Sequence, residues 1–211
     1  MGMPLTSEPD RTKRWTADEA RALQDESRAA PRYECIDGAL LVTPAPRPAH
    51  HYVQMALYER VRAYVRAQGV GAVFLPPTDV TLEPGTTVQP DLYVVPGAPG
   101  MRLGAWAEIT RLLLAVEVLS PGTARHDRVV KRRFYARVGV PEYWMVDVDA
   151  RLVERALPDG RVEVLDERLT WLPEGAHEPF VLEVPEIFAE ALGEPEAPEG
   201  AASDATDGAT S

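Results

Sequence analysis

The 211-residue chain has a single cysteine, Cys35, so no disulfide can form within it. That argues against the small secreted scaffolds that are stapled by disulfides and fits a reducing compartment. Long apolar runs are also missing. The longest, residues 112–116, is far below the roughly 20 residues that a membrane-spanning helix needs. The first fifteen residues, MGMPLTSEPDRTKRW, contain no apolar stretch of the kind a signal peptide requires, so the expected location is the cytoplasm. Histidine is scarce, and His50, His51, His126 and His177 show neither HxxxH nor HxH spacing, which argues against a zinc site. No P-loop and no G-x-G-x-x-G stretch is present. Ser120 lacks the G-x-S-x-G frame of a hydrolase elbow and reads as a turn residue.

Basic residues are in deficit, 22 against 33 acids, for a net charge of −11. A field over the whole protein that attracts nucleic acid is therefore not supported. The deficit is uneven. From Glu183 onward there are eight acids and no Lys or Arg, so the rest of the chain carries only −11 + 8 = −3. Residues 120–137 hold Arg125, Arg128, Lys131, Arg132, Arg133 and Arg137 against Asp127, a local charge of +5. Such a segment is either a solvated face or a patch for a polyanion.

What is present is an ordinary globular balance, 45% apolar and 26% charged, enough for one domain. The expected domain spans residues 15–191, between a disordered N-terminal tail at 1–14 and a disordered acidic tail at 192–211. Thr16 and Glu19 form a capping-box pair that opens a helix running to about Ser27. Asp37-Gly38 marks a hairpin between two short strands. After Pro44, Pro46 and Pro48, residues 50–68 read as a helix ending at Gly69. Short strands are expected at 73–75, 80–82 and 91–95. Residues 112–119 are apolar on both faces, as in a central strand covered on both sides. A helix follows over 122–138, then a strand at 142–148 that contains Tyr143 and Trp144 as core residues. A hairpin over 151–156 and 162–165 closes the pattern.

Three residues stand out. Glu117 interrupts the most apolar strand, where a carboxylate is costly unless it is paired or binds a metal. Asp91 follows Pro90 at the head of another strand. Two converging carboxylates suit Mg²⁺ and phosphodiester chemistry, while a buried ion pair is the structural alternative. On a helical wheel Lys131 shares a face with Asp127, Phe134 and Val138 and so points toward the strand of Glu117. Either it serves that site or it only pairs with Asp127 four residues earlier.

These segments in order, Pro90-Asp91-Leu-Tyr-Val-Val, Leu114-Ala-Val-Glu117-Val-Leu-Ser120-Pro121, Asp127-Arg-Val-Val-Lys131 and Gly139-Val-Pro-Glu142-Tyr-Trp, resemble the Uma-type restriction endonuclease family, a branch of the PD-(D/E)xK nuclease superfamily. Tyr33-Glu34-Cys-Ile-Asp37-Gly38 is similar to its N-terminal motif, and His51 to its helix-leading histidine. The resemblance implies an α/β fold of restriction-endonuclease type, a mixed sheet flanked by helices, here with an additional C-terminal β-hairpin. It implies Mg²⁺, with Mn²⁺ able to substitute, held by Asp91, Glu117 and the Val118 carbonyl, with Glu34 as a further acid. Glu34 could equally be a surface strand residue. The usual Glu-x-Lys lysine would fall at position 119, which is Leu119 here. The resemblance places that role on Lys131, giving Asp91, Glu117 and Lys131 as the catalytic set. DNA is the implied substrate, no membrane is involved, and a homodimer is compatible. The rival readings are a non-catalytic nucleic-acid-binding module and a homo-oligomeric interaction protein that keeps the fold.

Overall fold

The computed structural model of the chain describes residues 13–27 and 30–194. Most of both expected tails, 1–12 and 195–211, lies outside the described residues. Lys13 and Arg14, placed in the tail from sequence, are tied down: Lys13 pairs with Glu19 at 2.8 Å, and Arg14 donates to the Asp37 carbonyl at 3.2 Å.

The first helix, α1 (Ala17–Ser27), begins where the capping box predicts. The Thr16 amide donates to Glu19 at 2.9 Å, and the Glu19 amide donates back to the Thr16 hydroxyl at 3.2 Å. Strands β1 (Arg32–Ile36) and β2 (Ala39–Thr43) form the hairpin over Asp37-Gly38. Both turn residues have left-handed φ, 54° and 78°, as a two-residue type I′ turn demands. Helix α2 (Pro48–Gln68) starts two residues earlier than expected, because Pro48 fits a first turn that needs no amide donor. It ends at Gly69, whose φ of 68° allows its amide to cap the Val65 carbonyl.

Strands β3 (Gly71–Phe74), β4 (Leu92–Pro96), β5 (Leu114–Val118), β6 (Tyr143–Asp147), β7 (Leu152–Ala156) and β8 (Val162–Leu165) form one six-stranded sheet in that spatial order. Only β5 and β6 pair in parallel, so the sheet is mixed. The helical run between them supplies the crossover: a turn α3 (Ala124–His126), a π-helical segment (Asp127–Lys131) and α4 (Arg132–Arg137).

One expectation changes. Residues 80–82 form no strand. Prolines at 76, 77, 84 and 90 break up the surrounding segment, and only an isolated bridge links Val80 to Val88. The expected hairpin of β7 and β8 forms and extends the main sheet. The separate C-terminal pair is β9 (Arg168–Trp171) with β10 (Phe180–Glu183), followed by α5 (Val184–Leu192).

Apolar side chains fill both faces of the sheet. On one face Leu114, Val116 and Val118 pack with α2, α5, Trp144, Trp171 and Phe180. On the other, Tyr93, Ala115, Leu119, Phe134, Tyr135, Tyr143 and Met145 meet under the helical crossover and the β1–β2 hairpin. The second face also holds the buried charges.

Candidate active site

Asp91 and Glu117 are brought together by strand pairing. Leu92 lies opposite Val116 across β4 and β5, so continuing that register by one residue sets Asp91 opposite Glu117. Both carboxylates face the crossover helix and are buried. The register alternation that puts Leu114, Val116 and Val118 on the apolar face necessarily turns Glu117 the other way.

The crossover brings Lys131 over them. Its amine lies 2.8 Å from Glu117 Oε1, 2.8 Å from Glu34 Oε2 and 3.6 Å from Asp127 Oδ1. The i, i+4 pairing with Asp127 and the contact with Glu117 therefore coexist. A π turn sits at this point: the Arg132 amide reaches the Asp127 carbonyl, a five-residue span, and both Asp127 and Lys131 are buried. Such one-turn bulges re-aim side chains within a helix. Tyr143 donates to the Asp127 carbonyl at 3.2 Å and holds the turn against β6.

Glu34 is buried, not a surface residue. Its Oε1 accepts the Gln89 amide at 2.7 Å, and it meets the site from behind Lys131. Two positions earlier on the same face of β1, Arg32 donates from Nη1 to Asp91 Oδ1 at 2.8 Å. The other Asp91 oxygen accepts the Val118 amide at 2.9 Å and lies 3.4 Å from His50 Nε2. Gln54 donates to the Asp91 carbonyl at 2.6 Å. The histidine beside the site is thus His50; His51 is exposed on the other side of α2.

Arg32, His50, Asp91, Glu117, Val118 and Lys131 line one cavity of about 200 Å³, walled by the loops at 43–47 and 120–123. Glu34 is not in that lining. Ser120 sits in the wall as a turn residue, its hydroxyl 2.9 Å from that of Thr123.

The electrostatics follow from burial and from numbers of charges. Four buried carboxylates (Glu34, Asp91, Glu117, Asp127) face two cations, Lys131 and Arg32, an excess of two negative charges when all are ionised. Burial pushes Glu117 well above the usual carboxylate range; Lys131 opposes this, and Asp91 and Asp127 add to it. Asp127 is raised for the same first reason. Burial also acts on Asp91, but Arg32, His50 and Lys131 outweigh it and hold that carboxyl far below its ordinary value. Burial alone would favour a neutral Lys131, yet Glu117, Glu34 and Asp127 outweigh it, so the ammonium keeps its proton.

Among the described residues no group of three or more His, Cys, Asp or Glu side chains is disposed as a ready metal cage. What is present at the cavity is a pair of carboxylates beside the Val118 backbone. Mg²⁺ is commonly bound by one or two carboxylates while retaining several waters, so this donor set fits it.

The local charge expected over residues 120–137 is largely spent internally. Arg128 binds Asp147 and Glu154, each at 2.7 Å, and Arg137 binds Asp37 and Glu83 at 2.9 and 2.6 Å. Lys131 is buried, which leaves Arg125, Arg132 and Arg133 without a paired acid among the described residues. No helix among these residues is long and apolar enough to cross a membrane.

Among curated proteins, none matches the chain. Among solved structures it is similar to the crystal structure of "a putative nuclease belonging to DUF820" from Anabaena variabilis, with 23% sequence identity and a TM-score of 0.63 over 84% of this chain and 99% of that one. That likeness establishes a shared fold. The family model Uma2, described as "Putative restriction endonuclease", matches residues 17–184, a span that takes in β1, both strand carboxylates and the crossover helix. The chain belongs to the Uma2 family.

Proposed function

We propose that the chain is a Mg²⁺-dependent nuclease that hydrolyses phosphodiester bonds in DNA, with Mn²⁺ able to replace Mg²⁺. The observation that carries this reading is the convergence of Asp91, Glu117 and Lys131 at one cavity, with buried acids outnumbering buried cations. A buried negative excess is costly in an apolar setting and is relieved by a bound dication. Asp91, Glu117 and the Val118 carbonyl would hold it, and Glu34 supports the cluster through Lys131. The ion's contribution when bound is Lewis-acid stabilisation of charge on phosphoryl oxygens.

The chain's own residues have separable parts in this scheme. Lys131 stays protonated, so it donates a hydrogen bond to the attacking water or to a charged oxygen and does not accept a proton. The Val118 amide and Arg32 fix the rotamer of Asp91. Tyr135, 3.5 Å from Glu117 Oε1, closes the back of the site against water.

A non-catalytic module that keeps the fold has one observation in its favour: Arg32 and Lys131 already satisfy carboxylate oxygens of Asp91 and Glu117. Plasmid DNA incubated with Mg²⁺ or Mn²⁺ separates the two. The nuclease reading expects nicking by the wild type and its loss, by about 10²-fold or more, in Asp91→Ala. Intact plasmid with the wild type under both metals contradicts it.

A further inference from the structure

Arg32 has a place in the cavity that its pairing with Asp91 does not exhaust. A guanidinium carries five N–H donors in a planar fork. Here Nη1 serves Asp91 Oδ1 at 2.8 Å and the Gln89 carbonyl at 3.3 Å. Among the described residues no acceptor meets Nη2 or Nε, and neither is a buried nitrogen left without a partner. Both donors are thus accessible and unpaired on a side chain that lines the cavity.

The other cations of the cavity are placed differently. Lys131 is held by Glu117 and Glu34 at 2.8 Å each. Arg47 is exposed at the rim and reaches Asp149 at 3.4 Å. Arg47 is also held through one nitrogen only, but its side chain is 55% exposed, so Arg32 alone among these described cations combines a fixed edge and free donors with burial. Its side chain is only 14% exposed, so little conformational freedom remains to be lost on binding. A rigid fork with two free donors matches the paired non-bridging oxygens of a phosphodiester. It also stands on the Asp91 side of the cluster, where a polyanion approaching four carboxylates most needs an opposing charge.

We propose that Arg32 is a substrate-contacting residue that grips a backbone phosphate of the DNA strand in the cavity through Nε and Nη2. The assignment rests on the nuclease reading and adds the residue that receives the strand.

The test uses the full-length chain with Ca²⁺ in place of Mg²⁺, so that binding is read without a need for cleavage. A labelled oligodeoxynucleotide and the same strand with uncharged methylphosphonate linkages are titrated into wild type, Arg32→Lys and Arg32→Gln. Arg32→Lys keeps a positive partner for Asp91 and removes the fork, so it guards against loss of folding in Arg32→Gln. The expected result is a wild-type melting temperature for Arg32→Lys, DNA affinity weakened roughly tenfold, and no difference from wild type on the uncharged strand. Unchanged DNA affinity in Arg32→Lys, an equal loss on the uncharged strand, or no binding of charged DNA by the wild type would each overturn the assignment. If Arg32 only supports Asp91, Arg32→Lys instead lowers the melting temperature and blunts its response to Mn²⁺ while DNA affinity holds. Binding that depends on Arg32, together with intact plasmid under Mg²⁺, would overturn the nuclease reading and leave the phosphate contact standing.

Discussion

On one face of the sheet, Val116 and Val118 of β5 point into an apolar cluster with Trp144, Trp171 and Phe180; on the other, Ala115 and Leu119 flank Glu117, whose carboxylate meets Lys131. The same strand, with Leu119 just past its end, serves both. The apolar face holds the molecule together through burial and close packing. The charged face sets four carboxylates, a lysine and an arginine among tyrosines, an arrangement that replacement by apolar residues would often stabilise. Polar groups that work against stability in this way are characteristic of sites kept for chemistry. The two faces should therefore respond differently to substitution, pH and metal.

The largest difference should come from Lys131→Met. It strands Glu117, Glu34 and Asp127 without their ammonium and should cost about 3–5 kcal/mol at neutral pH. In mild acid, where Glu117 and Asp127, both raised by burial, take up protons, the cost should shrink. Trp171→Ala on the apolar face should cost a similar amount, about 3–5 kcal/mol, at both pH values. Urea unfolding of the two variants at pH 5 and pH 7.5 makes the comparison. Equal pH sensitivity would remove the distinction between the faces.

A smaller effect concerns Glu117 itself. An unfolded glutamate titrates near pH 4.3, and burial raises this one well above that in the folded chain. The group's stabilising contribution is complete below about pH 4.3 and is lost as pH rises through the raised value. Asp127 acts in the same direction. Asp91 acts oppositely: its contribution is present above about pH 3.9 and fades only as pH falls toward its depressed value. In EDTA the melting temperature should therefore decline from mild acid toward neutral pH. Glu117→Gln should flatten that decline, and Leu57→Ala, on the apolar face, should shift the whole curve without changing its slope.

How much of this was legible differs between the faces for a physical reason. Glu117 announced itself because a charge in an apolar strand has few explanations, and helical periodicity aimed Lys131 at it. Asp91 stood out after Pro90 at a strand head. Arg32 gave no such signal, since an arginine entering a short strand looks like any solvated charge until the hairpin is folded onto residues 87–91. His50 did carry a signal: it lies three, seven and eleven residues before Val53, Leu57 and Val61, the buried positions of α2, whereas His51 falls outside that stripe. The β9–β10 pair was also readable from the alternation of Leu169 and Trp171 with exposed neighbours, and α5 from Pro185 in its first turn. Residues 80–82 misled because their apolar pattern is that of a strand, while the prolines around them deny it a ladder.

The smallest effect belongs to the outer side of the crossover. Arg132→Gln and Arg133→Gln remove charges with no acid partner among the described residues and should change stability by less than about 0.5 kcal/mol. If this side touches DNA, each should lower the slope of log affinity against log salt by about 0.9. Unchanged slopes in salt titrations would make these arginines a solvated face only.

On the proposed reading the charged face is built around a divalent ion. Mn²⁺ titration followed by its paramagnetic resonance signal tests it most directly. The account predicts a single tightly held Mn²⁺ per chain, bound more strongly as pH rises because the ligands must be deprotonated, and lost in Asp91→Ala and Glu117→Gln. A wild-type chain that leaves all added Mn²⁺ free in solution at neutral pH would contradict it.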